Sequence, residues 1–205
     1  MILSKYEFRN NIRRLPNKTI KTYNKIDNNL FSYNVDGQYI YLHMTYYLKK
    51  LIYIYGASKV RKIVNLQLLV AIEKIMKLID QGNTELKGKK YLYMLSPLLF
   101  GETELNFLKE LGFETKSFKR GDLRDKKFVD NDDDARLAVS SFGKNLNVGK
   151  AQISIDQIKS SEFITKTKTI IEQYKQMGIS LLEEEELVKS MIQGNHSVEV
   201  MEELI

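Results

Sequence analysis

Between Ser58 and Gln81 apolar side chains recur every three or four residues: Val60, Ile63, Val64, Leu68, Ala71, Ile72, Ile75, Met76 and Ile79. That spacing lays them along one stripe of a long α-helix facing a core. Leu66, Leu69 and Val70 widen the stripe, so the helix requires apolar cover on more than one side. Ser58 stands where a cap begins such a helix, and Gly82-Asn83 where the chain turns out of it.

Two other stretches supply surfaces to cover it. Leu30–Val35 and Gln38–Met44 are β-prone runs flanking Asp36-Gly37. The pair predicts a hairpin with a type I′ turn, whose two central residues take positive φ. Further on, Tyr91–Leu95 reads as a buried strand and Glu102–Leu111 as a helix with Leu105, Leu108 and Leu111 inward. Gly112 then turns the chain into the alternating run Phe113–Phe118, giving a strand–helix–strand unit. Ala151–Ile155 reads as a last strand, and helices follow at Ser161–Met177 and Ser180–Ile192. The expected fold class is therefore α/β or α+β: helix-rich, with a small mixed sheet (hairpin 30–44 plus strand–helix–strand 90–118) and a C-terminal helical extension.

Charge divides the 205 residues unevenly. Residues 1–127 hold 24 Lys/Arg against 12 Asp/Glu, whereas residues 128–205 hold 8 against 14, a formal +12 followed by −6. A basic α/β body at 1–127 and an acidic, mainly helical region at 128–205 is the expected organisation, either as two units or as one continuous domain. A polyanion partner for the first and a tethering or partner-binding role for the second follow from those signs. The chain has no cysteine, which excludes a disulfide framework, a thiolate metal site and a cysteine nucleophile. The charged start, Met1–Arg9, lacks a signal-peptide core, and no apolar run approaches the ~20 residues that span a bilayer. A cytoplasmic protein with no membrane partner is expected.

The basic half carries the candidate interface. Arg13, Arg14, Lys49, Lys50, Lys59, Arg61 and Lys62 are interleaved with aromatics, and Tyr39 and Tyr41 share one face of the hairpin. Cations neutralise phosphates and aromatic rings stack on bases, so this mixture suits nucleic acid. The competing account puts the tyrosines in the core, with lysines solvating its surface.

Candidate catalytic groups are sparse. Asp130, Asp132 and Asp134 follow the spacing of a calcium loop, but Ala135 replaces its glycine and Ser141 its closing glutamate. A flexible acidic loop is the simpler reading. His43 and His196 are the two histidines, His43 on the face of Tyr39 and Tyr41 and His196 in a loop or cap. Glu102 and Glu104 lie beyond the 91–95 strand, where α/β proteins bind ligands, yet acidic residues also belong in a helix's first turn. No glycine-rich phosphate loop occurs. No cofactor, no metal and no catalytic residue is assigned.

The amphipathic tail Leu181–Ile192 serves self-packing, oligomer formation or a protein partner. The leading expectation is a non-enzymatic nucleic-acid-associated accessory protein of a plasmid or phage. The alternatives are an assembly or interaction subunit of a larger complex or virion, and a small Mg²⁺-dependent hydrolase or nuclease.

Overall fold

The structure, a computed structural model, describes residues 24–44, 55–98, 100–118 and 148–179, with Glu186 and Lys189 as isolated positions. Six strands form one mixed sheet: β1 (Asn24–Lys25), β2 (Phe31–Asp36), β3 (Tyr39–Met44), β4 (Tyr91–Pro97), β5 (Glu114–Phe118) and β6 (Val148–Ser154), in the order β1-β2-β3-β4-β6-β5. Only β3 and β4 pair in parallel. The helix between them, α1 (Ala57–Asp80), makes that crossover. α2 (Thr103–Glu110) links β4 to β5, and α3 (Ile155–Ile158) and α4 (Ser161–Gln176) follow β6. The architecture is α+β.

The β2–β3 hairpin turns one residue later than Asp36-Gly37 would have it. Asp36 pairs with Tyr39, so the turn residues are Gly37 and Gln38, and of the two only Gly37 has positive φ (55°). That is the type II′ pattern, which also matches the strands' twist. This register pairs Phe31 with Met44, Tyr33 with Leu42 and Val35 with Ile40. A turn at Asp36-Gly37 would instead set Val35 against Gln38 and lose an apolar pair.

The strand–helix–strand unit exists, with a modification. β6 enters between β4 and β5 and is antiparallel to both, so those two strands are parallel without touching. Residues 148–179 thereby share a sheet and a core with the described residues between 24 and 118.

Along α1 burial covers consecutive residues from Asn65 to Leu69 as well as the expected stripe, so the helix is covered on more than one side. Gly56 occupies the N-cap with φ 83° and no side-chain cap bond, and Ser58 lies inside the helix. At the other end the Asn83 N–H donates to the Leu78 carbonyl and Gly82 to Ile79, with Gly82 at φ 78°. This Schellman closure recurs at Gly112 after α2 and at Gly178 after α4, because glycine takes the left-handed conformation without steric cost. α3 and α4 begin on serine caps, Ser154 and Ser160.

Alternation along the strands sorts the residues into two faces. Tyr33, Ile40, Leu42, Leu92, Met94, Ala151 and Ile153 join buried residues from each of the four helices in one cluster. Residues at the intervening positions of β2, β3, β4 and β6 face away from it.

Candidate nucleic-acid interface

The face away from the core is aromatic. Tyr39 is in register with Tyr91 and Tyr41 with Tyr93 across the parallel β3–β4 pair. Tyr39 and Tyr91 stack with ring centroids 5.5 Å apart, and Tyr41 meets Tyr93 edge-on at 5.1 Å. The Tyr39 and Tyr41 rings lie 5.8 Å apart. His43 continues the row, its ring stacked on Tyr41 at 6.5 Å. Tyr39, Tyr41, His43 and Tyr91 are half-buried, while Tyr93 is buried at the centre. None of these rings belongs to the core cluster.

Polar and cationic groups border the row. On β2 the Asn34 amide oxygen accepts from His43 Nε2–H at 2.5 Å. That bond fixes the orientation of the imidazole ring against the Asn34 amide. On the other flank Lys150 places its ammonium 5.3 Å from the Tyr93 ring centroid, within cation–π range. Lys116 of β5 stands directly opposite Lys150.

Of the expected interface residues, Tyr39 and Tyr41 fall in this row. Lys59, Arg61 and Lys62 lie on the first turns of α1, in the helical layer, and the Lys59 ammonium is 5.7 Å from the Tyr55 ring centroid. Between Lys59 and Arg61, Val60 packs α1 into the core cluster, on the face of the sheet opposite the tyrosine row. Arg13, Arg14, Lys49 and Lys50 are outside the described residues, as are Asp130, Asp132, Asp134, His196 and nearly all of the 181–192 tail. Tyr91, Tyr93, Lys116 and Lys150 were missing from the expected set. The alternation Tyr91-Leu-Tyr-Met was the available signal, but only the β3–β4 pairing makes it continuous with Tyr39 and Tyr41.

Glu104 is engaged in shaping a helix end: its Oε1 accepts from the Phe100 N–H at 2.5 Å, and Thr103 Oγ1–H donates to the Phe100 carbonyl at 2.6 Å. Glu102 is the exposed N-cap residue. Among the described residues no group of three His, Asp or Glu side chains is placed to hold a metal ion. No described helix is long and apolar enough to cross a membrane. No protein-family model, curated protein or solved structure matches the chain.

Proposed function

We propose that this chain is a non-enzymatic binder of single-stranded nucleic acid. Unstacked bases lie on the half-buried rings of Tyr39, Tyr41 and Tyr91, which the buried Tyr93 supports from within the row, with phosphates drawn to Lys116 and Lys150. The observation that carries this reading is the pair of in-register tyrosine couples on the sheet face turned away from the core. Every base offers a π-face, so aromatic stacking is tolerant of sequence and contributes about 1–3 kcal/mol per base. Bases inside a duplex already stack on each other, which is why a single strand fits this surface better.

The test is fluorescence anisotropy with a labelled oligothymidylate and, as competitor, a duplex of equal length. Tyr39→Leu keeps an apolar side chain but removes the ring, and urea melts verify its fold. The single strand should bind in preference to the duplex, and Tyr39→Leu should weaken it by about 5- to 150-fold, the equivalent of one lost stack. Equal affinity for duplex and single strand, or a Tyr39→Leu protein that binds like the parent, refutes the proposal.

A further inference from the structure

A cavity of about 430 Å³ opens at one end of the sheet, between the end of α1, the stretch before β4 and the β6–α3 corner. Its apolar lining residues are Ile79, Leu86 and Ile155; Leu86 and Ile155 are buried, so Ile79 presents the accessible apolar surface. Its rim carries three ammonium groups, Lys89, Lys90 and Lys159, against one carboxylate, Asp156. Lys89 donates to the Gly37 carbonyl at 2.6 Å, which fixes this rim to the hairpin turn. Lys159 stands 3.9 Å from Asp80, the outer limit of an ion pair. Lys90 is exposed, and its ammonium makes no bond to another described residue.

Tyr91 belongs to both features: it lines the cavity and stacks on Tyr39. An apolar surface, a cationic rim and a flanking aromatic ring match the three parts of a nucleotide. The volume lies within the ~300–1,000 Å³ typical of small-ligand sites. We infer that this cleft is a nucleotide site, with Lys90 and Lys159 holding the phosphate and the base lying against Ile79 beside Tyr91. A strand crossing the tyrosine row continues past the end of the sheet into it. As a strand path the inference rests on the proposed function above; as a pocket for one nucleotide it stands alone.

Two measurements on the full chain separate these cases. In the first, oligothymidylate affinity is followed against salt for the parent, for the Lys90→Gln/Lys159→Gln double variant and for Tyr39→Leu. Each lost phosphate contact to a single strand lowers the log–log slope by about 0.7. The double variant gives up the one phosphate these lysines share and should therefore lose about 0.7, while Tyr39→Leu loses affinity at unchanged slope. In the second, amide shifts are followed by NMR during titration with thymidine 5′-monophosphate, thymidine or inorganic phosphate. The monophosphate should move the Lys90, Tyr91 and Lys159 signals to saturation, and thymidine should not. Saturation by inorganic phosphate alone with the same shifts would reduce the cleft to an anion site and overturn the nucleotide assignment. If the double variant keeps the parent's slope while Tyr39→Leu weakens binding, the strand path is wrong and the tyrosine surface stands. If the parent binds no oligonucleotide, the surface proposal fails and the monophosphate shifts decide the cleft; their absence overturns it.

Discussion

Replacing Gln67 with leucine should make this protein more stable. Gln67 lies mid-way along α1 and is 0% exposed. Neither its Nε2 nor its Oε1 has a hydrogen-bond partner among the described residues. Leaving a buried amide unsatisfied costs about 1–3 kcal/mol, and leucine removes that cost while nearly preserving volume. Helix propensity is almost neutral, since leucine and glutamine lie close together on that scale. Nearby Asn29 supplies the contrast. Its Nδ2 donates to the Gln67 carbonyl and its Oδ1 accepts from the Phe31 N–H, both at 2.9 Å. Asn29→Leu strands the Phe31 donor in the core and should cost about 1–3 kcal/mol.

The two substitutions thus exchange an amide for the same hydrocarbon at neighbouring buried sites and should shift stability in opposite directions. Urea denaturation reads the difference. With m about 2 kcal/mol/M, the middle of the urea range, Gln67→Leu should raise the midpoint by about 0.5–1.5 M at unchanged m, and Asn29→Leu should lower it similarly. Gln67→Ala is the control for volume, because its cavity should offset the gain. A midpoint that falls in Gln67→Leu would show that the amide is hydrogen-bonded in solution, and the reasoning would be refuted.

Other substitutions probe packing, backbone and titration. A methyl group at Gly149 would lie 2.6 Å from Leu98 Cδ2 and 2.9 Å from Leu105 Cδ2, so Gly149→Ala should cost about 1–3 kcal/mol by overpacking; a stability equal to the parent's in a urea melt would mean those leucines yield freely. Gly82→Ala meets open space but keeps φ at 78°, so its cost, about 1–2 kcal/mol, should come from the left-handed backbone alone; Gly82→Asn should recover part of it in the same assay. Burial, and secondarily the charge of Glu85, raises the Tyr33 pKa above the ordinary 10.0. The unfolded chain then ionises first, so this contribution is intact below pH 10.0 and fades as pH rises through the folded value. Melting curves from pH 9 to 11 should therefore decline less steeply in Tyr33→Phe than in the parent, and parallel declines would rule out the assignment.

What was legible in the sequence was local. The stripe of α1, the inward leucines of α2 and the glycine stops after α1, α2 and α4 follow from periodicity and from glycine's access to positive φ. The hairpin was also legible, apart from its turn, where the choice between Asp36-Gly37 and Gly37-Gln38 is made by pairing Val35 with Ile40 across the strands. The parallel pairing of β3 with β4 was not legible, because it joins segments separated by the whole of α1. The entry of β6 between β4 and β5 was hidden for the same reason, since short-range patterns carry no record of distant register. The candidate site inherits this division. Tyr39 and Tyr41 could be placed on a common face by alternation, whereas Tyr91 and Tyr93 join them only through the sheet.

That topology also changes what the charge division means. Lys150 comes from the stretch with excess acid, yet β6 carries it into the sheet between β4 and β5, opposite Lys116 and over Tyr93. Lys59, Arg61 and Lys62 come from the basic stretch, yet α1 holds them in the other layer. The sign of a segment therefore does not give the sign of a face. At a Debye length of about 8 Å in physiological salt, a ligand on the sheet responds to the few charges within reach of the tyrosine rings, and more distant ones are screened. Changing Lys150 to Glu should consequently weaken oligothymidylate binding more than changing Lys62 to Glu, although the two alter net charge equally. Equal losses from the two substitutions, read by anisotropy at 0.15 M salt, would mean that total charge governs binding and that the tyrosine face has no special part in it.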